Sequence, residues 1–512
     1  MARSTKKIQP KVAPDTTAPA DGGGPLPAQD TSRTPQVLVW VALAALGMFS
    51  LLTFYYPAVR AFYRYRINYN EGWNLYVTRI AMEQHRALYP GNHAVSLGGG
   101  YPFLSFYIVG YLSRLTGDYL LTGRLLSLFS LLLSCVLVGL IVKRLTGGWG
   151  PPVFAAIFCL GLFCTVGSIY VGMDDPQMLA HPFFLFGLLL YMARPPSTLR
   201  IAGLTSLFVL GGNIKHNLLP APLAVLFDLF LTSASKAVRF IVFGAFFLAV
   251  AIAAKILVGG PSFISKMLSP RPYSGEGASG TLFSVYSSLG LPLALSFFWS
   301  IVQFRNPRAR VISIYFFISL LIGALFAGGF GVNVNTFFDN LFAMSIITGA
   351  CLDLLWKAPI PSFGKGGKLR FLAPVLLYLT VIVAFIPRAR TLPELLRELP
   401  FRQRLFDQEV SFLARQPGPA ICENLMLCFD AGKPFSVNPF GAGVRAKMGP
   451  GSSHDLLSQI AAKQFGVIQT DTPVTQKPAR LPDDVLEAID HNYIEALKAP
   501  DAHFYVPRAK QQ

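Results

Sequence analysis

Four polar clusters interrupt an otherwise apolar sequence, and their residue types suit acid–base and phosphate chemistry. The clusters are Tyr69-Asn70-Glu71-Gly72, Met173-Asp174-Asp175-Pro176, Lys215-His216-Asn217, and the group Asn333, Asn335 and Asp339. A carboxylate can take a proton from an attacking hydroxyl group. A Lys or Arg side chain can stabilise negative charge that develops on a phosphate. Since polar groups at membrane depth are costly, each cluster is a functional candidate.

Each cluster also has a structural interpretation that the sequence leaves open. Glu71 begins a predicted helix over residues 71–89, where a carboxylate suits the helix dipole. Asp174 and Asp175 precede a proline and can cap the helix that follows. Lys215 can reach lipid headgroups from a helix end. Asn335 and Asp339 can likewise cap the next helix.

The elements that position these clusters are membrane helices. Of the 512 residues, 53% are hydrophobic and 14% are charged, and the mean hydropathy is +0.48. A soluble domain has about 25% charged residues. We therefore predict an all-α polytopic membrane protein with about eleven transmembrane helices. The predicted spans are 36–56, 120–142, 151–171, 177–193, 199–213, 217–231, 238–258, 283–303, 310–330, 336–356 and 370–387.

The basic residues predict the orientation in the membrane. The formal net charge is +18, and the predicted loops 143–149, 194–200, 232–239, 304–310 and 357–370 contain Lys and Arg but no Asp or Glu. These loops share one side if the N-terminus is cytoplasmic, as the positive-inside rule requires. An odd number of spans then places the tail outside, and no nucleic-acid partner is expected. Arg60, Arg64 and Arg66 fall on the outer side, where we expect them to reach headgroups.

Three regions follow from these patterns. Residues 1–35 are predicted to be a disordered cytoplasmic arm. Residues 36–387 form the transmembrane domain, with a long outer loop at 57–119. Residues 388–512 form a small extracytoplasmic domain of α/β type, with Cys422 and Cys428 in a compartment that permits disulfides. A disulfide and a pair of buried thiols both remain possible for these two residues.

The order of several short motifs resembles the GT-C superfamily of membrane glycosyltransferases. A first span and an early loop carboxylate are followed by Ala87-Leu88-Tyr89-Pro90, Gly100-Tyr101-Pro102-Phe103, Leu115-Thr116-Gly117 and Gly123-Arg124-Leu125-Leu126-Ser127. The branch that the sequence is most similar to includes the protein O-mannosyltransferases and the lipid A aminoarabinose transferases. The motifs cover residues 36 to about 235, and the rest of the chain agrees by hydropathy.

The resemblance implies roles for particular residues. Glu71 would be the catalytic base, and the second acid would be Asp174 or Asp175. The expected donor-binding residues are Lys215, His216, Asp174, Asp175 and Arg124. The expected substrate-binding residues are Tyr69, Asn70, Tyr101 and Asn335. Two positions depart from the family: Asn70 replaces an acid that members often have before Glu71, and Tyr101 replaces a Lys of the aminoarabinose transferases. The donor and acceptor of that branch are therefore not carried over.

The expected function is transfer of a hexose or pentose from a polyprenyl-phosphate donor. The acceptor would be a glycan, lipid or protein on the outer face of a bacterial-type inner membrane. No cofactor is certain, although Asp174 and Asp175 could hold a divalent cation. A transporter or lipid flippase is an alternative, but it would favour inverted repeats. An oligosaccharide ligase or polymerase is another, but that class would favour basic residues in a large late outer loop.

Overall fold

The computed structural model describes residues 34–84, 88, 101–193, 197–268, 271–365, 367–448, 453–476 and 480–509. Most of the predicted arm, residues 1–33, lies outside the described residues, as do parts of the motifs at 87–90 and 100–103. In the described part, a bundle of helices is followed by a tail domain with one small sheet.

In the first part of the chain, the outer-loop helices α2 and α3 separate the first bundle helix from the bundle helices α4 to α9. They are α1 (Thr34–Arg60), α2 (Tyr69–Arg79), a π-helical turn (Ile80–Gln84), α3 (Leu104–Thr116), α4 (Tyr119–Leu145), α5 (Gly150–Thr165), α6 (Pro176–Ala193), α7 (Thr198–Ile214), α8 (Pro220–Thr232) and α9 (Ala234–Gly259). Asp118 begins α4 by accepting hydrogen bonds from the backbone N–H groups of Leu120 and Leu121. Side-chain capping of this kind satisfies the first N–H groups of a helix.

The second part of the chain completes the bundle and enters the tail. Its helices are α10 (Phe263–Met267), α11 (Gly275–Tyr286), α12 (Gly290–Val302), α13 (Pro307–Ala327), a 3₁₀ turn (Val334–Phe337), α14 (Phe338–Lys357), α15 (Leu372–Arg415), α16 (Leu425–Asp430), α17 (Pro439–Met448), α18 (His454–Ala461) and α19 (Asp483–Asn492). The strands are β1 (Ala420–Cys422), β2 (Val467–Thr470), β3 (Tyr493–Ala499) and β4 (Ala502–Pro507).

The membrane helices are confirmed, but fewer than eleven have the length of a span. Among the described residues, seven helices are long and apolar enough to cross a membrane, or eight if α11 and α12, bent by 93°, form one broken span. Three further expected spans form the shorter apolar helices α5, α7 and α8. A helix of 16 residues, such as α5, is only about 24 Å long, which is less than the hydrocarbon thickness of about 30 Å.

The tail domain confirms the predicted α/β character. Its sheet has the order β1-β2-β4-β3, in which β1 pairs in parallel with β2 and the other two pairs are antiparallel. Helices α18 and α19 pack on this sheet through Ile460, Ile468 and Ile489. Helix α15 runs without interruption from the bundle to residue 415, across the predicted boundary at 387. The tail is therefore joined to the membrane domain by a continuous helix.

The tail packs directly on the outer loop. An ideal Cβ at Gly72 would lie 2.3 Å from the backbone nitrogen of Met426, so only glycine permits this approach of α2 to α16. Arg64 pairs with Asp118 and Asp430, and Arg66 pairs with Asp471 at 2.8 Å. Arg60 donates to backbone carbonyls of residues 168, 169 and 171. The expected headgroup contacts of these three arginines are thus replaced by contacts within the protein.

Cys422 and Cys428 form a disulfide in the structure, with their Cα atoms 6.0 Å apart. The bridge links β1 to α16, the helix that contacts α2. We expect alkylation of the denatured protein to label these two cysteines only after reduction, which intact-mass measurement would detect. Replacing both with Ser should destabilise the tail by about 2 kcal/mol. Labelling of both residues without reductant would contradict the pairing.

The orientation of the bundle remains a prediction that reporter fusions can test. The basic loops place residues near Lys143 and Arg308 in the cytoplasm and the C-terminal residue Gln512 outside. We expect a cytoplasmic reporter to be active when fused at the first two positions, and a periplasmic reporter to be active at the third. A cytoplasmic signal at Gln512 would reverse the side on which the candidate site lies.

Candidate functional site

The structure brings residues of all four polar clusters to one end of the bundle, and a buried ion pair organises them. Glu71 is 0% exposed, and its two oxygens accept hydrogen bonds from Arg124 Nε at 2.8 Å and Nη2 at 2.9 Å. Glu71 also accepts from the backbone N–H groups of Ile67 and Asp174. Both carboxylate oxygens are therefore engaged within the protein, which favours a structural role for this residue.

Arg124 continues this network into the outer loop. Its guanidinium donates to the carbonyl oxygens of Ala61, Tyr63 and Tyr65. Arg124 is 1% exposed, so its predicted contact with a donor would require it to leave these partners. The Glu71–Arg124 pair thereby fixes residues 61–67 against α2 and α4, and it holds the loop that contains Asp174. Gly123 lies beside this loop, since a Cβ there would meet the Asp174 carboxylate at 2.2 Å.

Asp174 and Asp175 are adjacent in sequence but lie in different surroundings. Burial, followed by the charges of Glu71 and Asp175, holds the pKa of Asp174 well above its usual range. This shift disfavours the ionised form that a general base needs, which makes Asp174 a weaker candidate for that role. Its backbone carbonyl accepts a hydrogen bond from Asn74 Nδ2 at 2.6 Å. The role left to Asp174 is to join α2 to the loop at 166–175, which is the second of the predicted outer loops.

Asp175 has one engaged oxygen and one unpaired oxygen. Its Oδ1 accepts from the backbone N–H of Gln177 at 2.8 Å, which caps the start of α6. Its Oδ2 is buried and has no hydrogen-bond partner among the described residues. Burial raises the pKa of Tyr69, and the Tyr101 and Asp175 charges raise it further. The carboxylate of Asp175 therefore lies within electrostatic range of Tyr69, and Tyr69 lines the cavity described below.

A group of basic residues gathers near the same end of the bundle. Lys215 is 3% exposed, and its Nζ lies 3.7 Å from the centroid of the Tyr101 ring. Burial, and then the charges of Lys215, Arg271 and Lys255, lowers the pKa of His216 to about 4. His216 is therefore neutral at pH 7 and can offer hydrogen bonds but no charge. Three cations around one imidazole form a place where an anion would be stabilised.

A cavity of about 60 Å³ lies between the outer loop, the loop before the 3₁₀ turn and the tail domain. Its lining includes the aromatic residues Tyr69, Trp73, Tyr101 and Phe440 with the polar residues Asn70, Arg271, Glu423, Asn438 and Arg480. The rings of Phe440 and Tyr69 are stacked, with their centroids 5.4 Å apart. The guanidinium of Arg480 lies 4.8 Å from the Tyr69 ring centroid. The tail domain therefore forms one wall of the cavity.

Two further predicted residues, Asn335 and Asp339, lie near this end of the bundle. Asn335 is held by Gln177 through two hydrogen bonds, at 2.6 and 2.7 Å, and so links the 3₁₀ turn to the start of α6. Asp339 accepts from the hydroxyl of Tyr315 at 2.7 Å and packs inside the bundle. Within the described ranges, no group of three or more His, Cys, Asp or Glu residues could hold a metal ion. Asp174 and Asp175 therefore lack a third such ligand in that part of the chain.

Five residues near the site were not predicted from the sequence: Lys255, Arg271, Glu423, Phe440 and Arg480. Lys255 carried a detectable signal, because it is a cation inside the apolar helix α9. The other four lie in loops or in the tail, and their approach to the site depends on tertiary packing. Arg480 is placed by Asp471, which accepts from it at 2.6 Å and also pairs with Arg66.

The fold has close counterparts among solved structures. No protein-family model and no curated protein matches the sequence. The crystal structure of ArnT from Cupriavidus metallidurans in the apo state is 13% identical, with 93% of this chain and 99% of that chain covered and a TM-score of 0.61. The crystal structure of the same protein bound to undecaprenyl phosphate is also 13% identical. That alignment covers 94% of this chain and 99% of that chain, with a TM-score of 0.56.

A second counterpart is the apo oligosaccharyltransferase of Archaeoglobus fulgidus. It is 11% identical, and the alignment covers 94% of this chain and 76% of that chain, with a TM-score of 0.51. Both proteins extend the similarity well beyond the motifs, through the bundle and into the tail. The chain therefore shares its overall fold with ArnT and with this oligosaccharyltransferase.

Proposed function

We propose that this protein transfers a sugar from a polyprenyl-phosphate donor to an acceptor on the outer face of the membrane. The observation that carries the proposal is the cavity at one end of the bundle, which has an incompletely bonded carboxylate, Asp175, near it and basic residues on its rim. The GT-C fold and an ArnT structure bound to undecaprenyl phosphate support the donor class. We further propose a bacterial-type inner membrane as the location.

The chemistry needs one base and a site for the leaving phosphate. Asp175 takes the proton of the acceptor hydroxyl while the hydroxyl oxygen attacks the anomeric carbon of the donor sugar. The bond from that carbon to the phosphate oxygen breaks, and the electron pair leaves with the polyprenyl phosphate. Lys215, Lys255 and Arg271 stabilise the charge of the phosphate. Attack opposite to the leaving group inverts the anomeric carbon.

We assign the acceptor side of the cavity to the tail domain. Arg480, Asn438 and Phe440 approach from the tail, whereas Tyr101 and Arg271 approach from the membrane loops. Glu423 accepts from the backbone N–H groups of Asp471, Arg480 and Leu481, and so holds the loop that carries Arg480. Amide and guanidinium groups beside aromatic rings suit a hydroxyl-rich acceptor such as a glycan. We further propose that the transferred sugar is a hexose or a pentose.

Mass spectrometry of envelope lipids and glycans can test the proposal directly. A strain that lacks the protein should accumulate one polyprenyl-phosphate-linked sugar and lose that sugar from one envelope component. The wild-type gene should restore the modification, and a gene with Asp175→Asn should not. Unchanged glycans combined with an altered distribution of a lipid between the two leaflets would instead support a flippase.

We expect Lys215→Met to weaken binding of undecaprenyl phosphate by roughly tenfold, since one charge-assisted contact is worth about 1.5 kcal/mol. The substitution keeps an unbranched side chain, one atom shorter, and removes its charge. Fluorescence-monitored titration of the purified protein with undecaprenyl phosphate measures the change. Lys236→Met, in a predicted cytoplasmic loop, is the control and should bind normally. Equal affinity of the two variants would remove Lys215 from the donor site.

A further inference from the structure

A second, smaller cavity lies next to Asp175, inside the bundle. Its volume is about 10 Å³, which is close to the space that one water molecule requires. The lining includes Asn74 of α2, Ser105 of α3, and Asp174 and Asp175 of the second outer loop. Three elements that surround the site thus meet at a space for a single small molecule.

Three oxygen atoms of the lining residues have no hydrogen-bond partner in the described part of the chain. They are Asn74 Oδ1, Ser105 Oγ and Asp175 Oδ2, on side chains that are 2%, 2% and 4% exposed. The orientation of the Asn74 amide follows from its Nδ2, which donates to the carbonyl of Asp174. Buried polar atoms without partners are rare, because each one costs free energy. Three of them around one cavity point to a bound ligand.

We propose that this cavity binds one water molecule that positions the Asp175 carboxylate. Asn74 Oδ1 and the ionised carboxylate only accept hydrogen bonds, whereas the Ser105 hydroxyl can donate. A water molecule donates two hydrogen bonds and accepts from Ser105, so one molecule satisfies all three oxygens. Three hydrogen bonds are usual for a buried water. A calcium ion would need six to eight oxygen ligands, which is more than these three side chains supply.

The water has a consequence for catalysis that rests on the proposed function. Asp175 Oδ1 is held by the backbone N–H of Gln177, and the water holds Oδ2. Each carboxylate oxygen has a second lone pair, which remains free for the acceptor hydroxyl. A hydrogen bond to the ionised carboxylate also stabilises its charge in a buried place. Asn74 and Ser105 are therefore positioning residues, because they act on the reaction through the water.

A high-resolution cryo-electron microscopy structure of the full-length protein tests the water site without any assay of activity. We expect a density peak within about 3.2 Å of the three oxygens. The peak should be absent in Ser105→Val, whose added methyl group occupies the cavity. Direct bonds among the three oxygens, or an ion with short contacts to six oxygens, would overturn the proposal.

Kinetics test the positioning role. With undecaprenyl-phosphate-linked glucose, mannose or arabinose as the probe, Ser105→Val should lower kcat roughly tenfold and leave the donor KM unchanged, because a displaced catalytic group slows only the chemical step. Ser105→Ala, which leaves room for the water, should retain most of the rate. Ser134→Val is the matched control, since the Ser134 hydroxyl is also buried and unpartnered but lies deeper on α4.

The outcomes separate the two proposals. Suppose that the wild type shows the water peak and that Ser105→Val lacks it. A normal kcat of that variant would then refute the positioning role. An equal loss in Ser134→Val would also refute it, since any buried serine would then have the same effect. If the wild-type protein turned over none of the three probes and the envelope analysis found no missing sugar, the proposed function would fail. The density peak would still decide whether the cavity binds water.

Discussion

Replacing Asp175 with Asn is expected to lower the rate of sugar transfer by roughly 10²- to 10⁴-fold, which is the usual contribution of a general base. The amide keeps the size of the carboxylate, and its oxygen can still cap α6 by accepting from the Gln177 N–H. The loss should therefore appear in kcat and not in the amount of folded protein. Binding of undecaprenyl phosphate should be nearly unchanged, because Asp175 carries no charge that attracts a phosphate.

Asp174→Asn is the matched comparison for this variant. The same change is made at the adjacent residue. The comparison therefore tests whether the surroundings of a carboxyl group, and not its mere presence, determine which residue is the base. Because burial raises the pKa of Asp174 and so disfavours its charged form, an uncharged amide is a mild replacement for it. We expect at most a modest loss of rate. Inactive Asp174→Asn together with active Asp175→Asn would transfer the catalytic role to Asp174.

The sequence was sufficient to predict the membrane helices, and the predicted alternation of spans also assigns the four polar clusters to one side of the membrane. Both depend on local patterns: apolar runs of bilayer length for the helices, and the alternation of spans for the side of each loop. Asn335 and Gln177 illustrate this, since they lie 158 positions apart and are joined by hydrogen bonds at one end of the bundle. Helices α5, α7 and α8 are short because turns, such as the one at 215–219, interrupt the apolar runs. Hydropathy locates the positions of such turns poorly.

The partner of each polar side chain could not be predicted in the same way. Glu71 was expected to begin a helix and to act as the base, and the helix begins two residues earlier, at Tyr69. Its burial results from Arg124 on another helix, 53 positions away, together with backbone groups of two loops. Likewise, Arg480 reaches the cavity because Asp471 and Glu423 shape a loop of the tail. Such contacts depend on tertiary packing, which leaves no periodic signal in the sequence.

The role of Glu71 as the base remains a prediction from the family resemblance, and stability measurements distinguish it from the structural role. Breaking a buried ion pair by removing one partner typically costs 3–5 kcal/mol, because it leaves an uncompensated buried charge. We therefore expect Arg124→Met to lower the apparent melting temperature of the purified protein by on the order of 10 °C. Glu71→Gln should destabilise it similarly, since Arg124 then keeps its charge beside a neutral amide.

The double variant Glu71→Gln, Arg124→Met makes the test specific to the pair. With both charges removed, neither residue leaves a buried charge unpaired, and part of the lost stability should return. A coupling of this kind measures the interaction between the two side chains and excludes independent packing effects. The catalytic role predicts a different result: Glu71→Gln would be as stable as the wild type and would lose transfer by roughly 10²-fold or more. Activity of the folded Glu71→Gln protein close to that of the wild type would assign the base to the second outer loop, where Asp175 lies.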